Sequence, residues 1–513
     1  MTNNKRIAQN TIVLYVRMIF MVIVSLYTSR IVLRTLGVED FGIYNIAGGI
    51  VVLFSFLNSA MISSTQRFLN FELGKKNEAE AARIFSMSIN AHVGIMILLF
   101  VLSETVGLCF LNTYIQVPPS RVYAMNWVYQ MSVLGACLSV IRTPYNAAII
   151  AYEKMSTYAY ISIVEVILKL GIVYLLLIIA VDHLIVYSVL TMVVIGLITL
   201  CYIFYCLNHF KICHYKYSWD AVLFKRLIGF SGWSLFGSFA NMAASQGLNI
   251  LQNIFFGVSI NAAMGIANQV NTAIYNFSSN FQTAFNPQIV KSYAADDRDY
   301  FMSLIFKTSK YSFFLLFVLS LPVLICCDRV LAFWLGDVPD HAVEFCRLMI
   351  LFSLVDGISA PLWMSVQATG RIRNYQIIMG VIIFSNLPLS YIVLQAGANP
   401  EAVLVIRVLL NILSFFVRII YLRKAIALPA RKYITTVLFP CLGVAIVAFP
   451  LPFLSYHLVD GFNGLIVSLL LAIFLSAFFV YRIGMNRQER SAIKNIIIRH
   501  ICCLLYTSDA ADE

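Results

Sequence analysis

"NTIVLYVRMIFMVIVSLYTSRIVL", residues 10–33, is the stretch whose reading decides the fold. Its only ionisable cations are Arg17 and Arg30, and most other positions are apolar. About 20 such residues, wound as a helix, cross the roughly 30 Å hydrocarbon core of a bilayer. Lys5 and Arg6 precede the run, as in a signal peptide. The run is too long for one, and no small-x-small cleavage site follows, so it reads as an uncleaved first span.

Thirteen similar stretches follow, near 42–62, 85–108, 123–141, 157–180, 184–206, 229–255, 262–286, 311–327, 348–368, 375–395, 402–422, 434–455 and 462–481. The expected fold class is therefore an all-α polytopic membrane protein with 14 transmembrane helices. Lys and Arg test this map, because short loops rich in them stay cytoplasmic. With the N-terminus inside, cytoplasmic segments hold 27 of the 36. The periplasmic-side segments hold four: Arg34, Arg121, Arg329 and Arg347. Arg17, Arg30, Lys169, Arg407 and Arg418 lie within spans. An even number of spans returns the C-terminal tail to the cytoplasm, and the expected location is a bacterial inner membrane.

Composition agrees. The chain is 60% hydrophobic and 12% charged, with mean hydropathy +0.84, where a soluble domain is about 25% charged. The net charge of +12 does not point to nucleic acid, because the basic residues are spread over the cytoplasmic segments as orientation signals. Eleven cysteines and seven histidines show no CxxC, HExxH or other metal spacing, so no metal or cofactor is expected. No Walker lysine loop is present, which argues against ATP as the direct driver. The segment 486–503 places Arg487, Arg490, Lys494 and Arg499 among isoleucines; it reads either as a helix on the inner leaflet or as a solvated tail. The final "LLYTSDAADE", 504–513, resembles a translated sequencing-adapter scar and is expected to be non-native.

A repeat lies 220 residues apart. "LGVEDFGIYNIA" at 36–47 falls without a gap on "FGVSINAAMGIA" at 256–267, pairing Gly37 with Gly257, Val38 with Val258, Ile46 with Ile266 and Ala47 with Ala267. Six spans separate the copies, so they are parallel repeats. The expected organisation is an N-terminal lobe (1–208), a C-terminal lobe (209–424), two appended spans with a tail (425–503), and the non-native end.

The segment 10–45, continuing through "RTLGVEDFGIYN", together with "TQRFLNFELGK" at 65–75, resembles the polysaccharide-biosynthesis flippases of the multidrug/oligosaccharidyl-lipid/polysaccharide (MOP) exporter superfamily. The resemblance implies movement of undecaprenyl-pyrophosphate-linked oligosaccharide from the cytoplasmic to the periplasmic leaflet by alternating access. The cargo would be an O-antigen, capsule or exopolysaccharide unit. It implies membrane lipids, a polysaccharide polymerase and a chain-length regulator as partners. Many such flippases have 12 spans; fourteen is closer to the lipid II flippase branch.

Polar residues within spans supply candidate sites, since a charge in the bilayer usually faces a cavity or a partner. Arg407, Asn411, Ser414 and Arg418 share one helix face. Arg407 reads as a phosphate ligand or a structural charge, and Arg418 as a ligand or a snorkelling residue. Arg17 shares a face with Asn10 and Thr28 and is a cavity candidate, whereas Arg30 lies near the outer surface or vestibule. Glu165 and Lys169, at i and i+4, read as a mutual pair or as a lysine that exchanges Glu165 for substrate phosphate. Asn241 and Asn249 in one span, and Asn268, Asn271, Tyr275 and Gln282 in the next, form amide-rich stripes suited to sugar hydroxyls. Asp356, beside Gly357 and before Pro361, is a candidate for coupling to H+ or Na+, with Glu165 second. Its alternative is a charge partner for an arginine such as Arg407, and Pro361 suggests a kink. No covalent chemistry is expected. A cation-coupled multidrug exporter of the same superfamily is the nearest alternative, and a membrane polysaccharide polymerase or ligase a more distant one.

Overall fold

The computed structural model describes residues 3–491 apart from 55, 115, 116, 180, 218, 336, 337 and 460; some side chains, mainly in the first two helices and at the start of the eighth, also lie outside the description. Residues 492–513, with most of the tail segment and the expected non-native end, fall outside the described residues. Described residues outside the connections are helical, and the expected spans fall on helices, with 10–33 and most of 42–62 sharing the first one and the rest of 42–62 on the second. We number them α1 (Asn3–Phe54), α2 (Phe56–Gly74), α3 (Glu78–Thr113), α4 (Pro119–Ala151), α5 (Met155–Leu176), α6 (His183–His209), α7 (Ala221–Phe256), α8 (Val258–Ala294), α9 (Arg298–Ile325), α10 (Ala342–Thr369), α11 (Arg373–Gln395), α12 (Glu401–Ala425), α13 (Ala430–Leu458) and α14 (Asn463–Gly484). Ten of these, α3 to α6 and α9 to α14, are long and apolar enough to cross a membrane.

The 220-residue repeat is written into the backbone. Gly37 breaks α1 at φ +80°, and Gly257 separates α7 from α8 at φ +81°. Both lie in the left-handed region that glycine enters without steric cost. The correspondence runs on to the ends of α2 and α8. Lys76 and Asp296 hold φ +58° and +55°. One residue later, Asn77 and Asp297 cap the following helices, their Oδ1 atoms accepting from the Glu80 and Tyr300 amides at 3.1 and 3.2 Å. Farther along, Arg121 pairs with Asp182 at 2.6 Å and also with Asp40. In the second repeat His341, 220 positions after Arg121, pairs with Glu401, one short of the Asp182 equivalent.

The described chain forms two compact units. The first comprises Met1–Ala243, Asn280–Phe301 and Met364–Val381. Its main core gathers Val32, Leu99, Val128, Tyr129, Val133 and Val173 from α1, α3, α4 and α5. The second comprises Ala244–Ser279, Met302–Trp363 and Ile382–Glu513. One of its cores joins Ala263, Met264, Phe345, Cys346, Met349 and Leu404. α10 continues through Pro361 to Thr369 rather than ending there; neighbouring groups in a membrane protein can accommodate the hydrogen bond that proline removes.

Candidate functional site

In the first unit, α1, α4, α5 and α6 bring cations together. Arg142, one residue past the expected span 123–141, sits within α4, nine residues before its end. Its Nη1 lies 3.3 Å from Glu165 Oε2, and Lys169 Nζ lies 2.7 Å from Glu165 Oε1. Glu165 is thus held by two cations rather than by Lys169 alone. Lys169 keeps 40% of its side-chain surface and Arg142 23%.

Arg17 approaches the same wall of α5. Its Nη1 donates to Ser162 Oγ at 3.5 Å, and its guanidinium lies over the Tyr158 ring at 4.5 Å. The Arg17 Nε is buried with no protein acceptor. Tyr202 of α6 stands beside Arg142, whose guanidinium lies over its ring at 5.6 Å. Three cations and one carboxylate therefore meet along α5, with net positive charge. Such an arrangement recruits an anion, and guanidinium forks match phosphate oxygens. The Arg30 side chain lies outside the described residues.

The second unit holds a different group. Tyr275 of α8 donates to Asp356 Oδ2 at 2.7 Å, and Arg418 Nη1 lies 3.9 Å from Asp356 Oδ1. Arg418 therefore turns to Asp356, with only 14% of its side chain exposed, instead of snorkelling. Asp356 takes Arg418 as its direct partner, whereas Arg407 stacks its guanidinium over Phe352 at 4.6 Å. Asn411 donates to the Phe352 carbonyl at 3.0 Å, and Ser353 to Asn271 Oδ1 at 2.6 Å. The polar face expected on α12 is real, and it packs against α10.

The amide stripes divide. Asn271 and Tyr275 join the Asp356 group. Asn241 and Asn249 bond within α7, to the Gly237 carbonyl at 2.9 Å and Gln246 Oε1 at 3.4 Å, and Asn241 is exposed. Asn268 and Gln282 are half-buried on α8, Gln282 in the segment that belongs to the first unit. Among the described residues no group of three or more His, Cys, Asp or Glu is placed to hold a metal. Sequence reasoning also missed an apolar cavity of about 1180 Å³ in the second unit. Phe313, Leu354, Phe415 and Leu442 line it, and Arg347 and His457 stand among its lining residues. Its apolar residues come from four helices, so no single-helix pattern marks it.

The MatE family matches residues 256–392, from the Gly257 break to α11. Among curated protein sequences none matches the chain. Solved structures match far more of it. A multidrug resistance MATE family transporter of the MOP superfamily, in an outward-facing conformation, superposes with TM-score 0.70 at 12% identity, covering 83% of this chain and 97% of that one. A MATE structure in a bent conformation gives 0.70 at 13% identity, covering 84% and 97%. A MOP superfamily transporter from Pyrococcus furiosus, described as having a binding pocket of reversed polarity, gives 0.67 at 13% identity, covering 84% and 96%. The all-α chain thus has the fold of the MATE transporters of the MOP superfamily, and its residues 256–392 carry the MatE family signature.

Proposed function

We propose that the chain is a multi-pass membrane transporter of the MOP superfamily and that its substrate is an anionic lipid-linked oligosaccharide bearing pyrophosphate. The fold and the MatE match support the transporter reading, and with it a protein without covalent chemistry. The single observation that carries the substrate class is the gathering on α5 of Arg142 and Lys169, both paired with Glu165, and of Arg17, which reaches Ser162 and Tyr158 one turn away. A compact pyrophosphate would meet those cations, while hydroxyls and amides meet the glycan. Asp356 is the proposed site of ion coupling, through H+ or Na+ binding that loosens its contacts with Tyr275 and Arg418.

A multidrug exporter is the second reading, and the comparisons favour it: the MatE family matches, and one structural neighbour is described as a multidrug resistance transporter. Asp356 with Tyr275 is the local feature suited to an organic cation. Thermal stabilisation of the detergent-purified protein separates the two readings. A polyprenyl-pyrophosphoryl sugar should raise the unfolding temperature of wild type but not of Arg17→Ala or Arg142→Ala. Stabilisation by a lipophilic organic cation alone, lost in Asp356→Asn, would establish the exporter reading instead.

A further inference from the structure

We propose that two reciprocal clasps, Glu153 with Gln288 and Lys291, and Arg67 with the last turn of α10, hold one end of the first unit closed and must release during transport; the proposal rests on the transporter reading. In the first clasp, Glu153 sits in the turn between α4 and α5 and is 4% exposed. Lys291 Nζ donates to its Oε1 and Gln288 Nε2 to its Oε2, both at 2.6 Å. Asn10 reaches its backbone carbonyl at 3.4 Å. In the second, the buried Arg67 of α2 donates from Nε to the Gln367 carbonyl at 3.1 Å and from Nη2 to the Ala368 carbonyl at 3.0 Å. The rings of Phe68 and Phe71 flank its guanidinium, each at 4.6 Å.

The exchange follows the repeat. Each clasp takes its donors from the C-terminal part of a helix that ends 37 residues after a positive-φ glycine, α2 in one copy and α8 in the other. Each takes its acceptors where the other copy's long helix ends, at α10 for Arg67 and just after α4 for Lys291. Both acceptor turns need a left-handed residue. The second repeat uses Gly370 at φ +74°, whereas the first uses Glu153 at φ +59°. A side chain there is strained where glycine would not be, and strain of this kind persists where surrounding contacts fix it. The carboxylate that meets Lys291 and Gln288 supplies those contacts.

Two glycines let the clasps close. A Cβ on Gly74 would come within 2.6 Å of Lys291 Cα and carbonyl oxygen, and one on Gly370 within 2.6 Å of Arg67 Nη2. The Glu153 side chain is 1% exposed in its pair, so parting it from Lys291 without admitting water costs a buried carboxylate one of its charged partners. Release and hydration of this end therefore occur together, which makes the clasp two-state. The positive-inside pattern assigns this end, with Lys75, Lys76 and Lys154, to the cytoplasm.

Spin labels at Lys211→Cys and Asp299→Cys, in a cysteine-free background, read the state of this end without any substrate. The full-length protein in nanodiscs should give one short distance. Glu153→Gln and Lys291→Met should each add a longer-distance population. The swap Glu153→Lys with Lys291→Glu should return it to the short distance, and Arg67→Lys should open the end in part, since lysine lacks the fork. Unchanged distances in the single variants, or a swap as open as they are, would overturn the proposal. A single variant that elutes as aggregate is replaced by Gln288→Leu, to which the same criteria apply. Because no transport is measured, a failed clasp and a failed substrate assignment give different results.

Discussion

Gly37 and Gly257, 220 residues apart, hold φ values of +80° and +81°, and among the described residues nothing lies within 4 Å of the position a Cβ would occupy on either. The left-handed backbone alone demands glycine at both positions. Alanine at either should therefore cost about 1–2 kcal/mol, with similar losses at the two sites. Thermal unfolding in detergent measures this, and a null effect at one site with a loss at the other would break the equivalence of the repeats.

The loop Lys75–Glu80 is expected in the cytoplasm, and Asp340, beyond the short helix Cys327–Leu335, in the periplasm. Single cysteines at 76 and 340 in a cysteine-free background, treated with an impermeant maleimide on intact cells, decide this. Labelling at 340 only is the expected outcome; labelling at 76 would invert the map.

The tail is tied down through Lys310 and Glu489. Lys310 Nζ lies 2.6 Å from Glu489 Oε2, and each side chain is 8% exposed. Burial pushes the Glu489 carboxyl up, but Lys310 and the Asn486 amide outweigh it and hold the group below the ordinary carboxylate range. A carboxylate depressed on folding contributes stability above its unfolded pKa of about 4.3 and loses it as pH falls through the folded value. Glu489→Gln should reproduce that acid loss at neutral pH, costing about 3–5 kcal/mol because Lys310 is left buried without its charge partner. Limited proteolysis after residue 486 should quicken. Proteolysis at the wild-type rate would show that the pair does not anchor the tail.

Asp356→Asn should abolish the dependence of transport on an ion gradient in proteoliposomes, because a ligand biases two states only through differential affinity. Tyr275→Phe removes one hydrogen bond to the same carboxylate and should alter that dependence without eliminating it. Normal, gradient-dependent transport by Asp356→Asn would make Asp356 a structural partner of Arg418 and shift coupling to Glu165.

Apolar run length and loop charge made the helices legible, since both are local properties of a chain crossing a bilayer. The repeat was legible because Gly37 and Gly257 are fixed by backbone geometry rather than by neighbours. Glu165 and Lys169 were legible because one turn of one helix sets their spacing. Arg142 was hidden, because it falls just past the apolar run 123–141 and only the packing of α4 against α5 places it beside Glu165. The partner of Asp356 was likewise out of reach, because Arg407 and Arg418 lie three turns apart on one face of α12 and sequence gives no axial register against α10. Glu153 looked like an ordinary loop carboxylate, and its burial depends on residues 135 and 138 positions away.

The central claim, a phosphate-bearing anionic substrate held by Arg17, Arg142 and Lys169, is tested most directly by translocation in proteoliposomes. The measurement compares a fluorescent polyprenyl-pyrophosphoryl oligosaccharide with a fluorescent organic cation. Wild type should move the lipid and not the cation, and Arg17→Ala or Arg142→Ala should slow it about 10- to 100-fold, the loss of one charge-assisted hydrogen bond of about 1.5–3 kcal/mol, with Arg→Lys recovering part. Movement of the cation by wild type, with the lipid left in place and both alanine variants unaffected, would contradict the account.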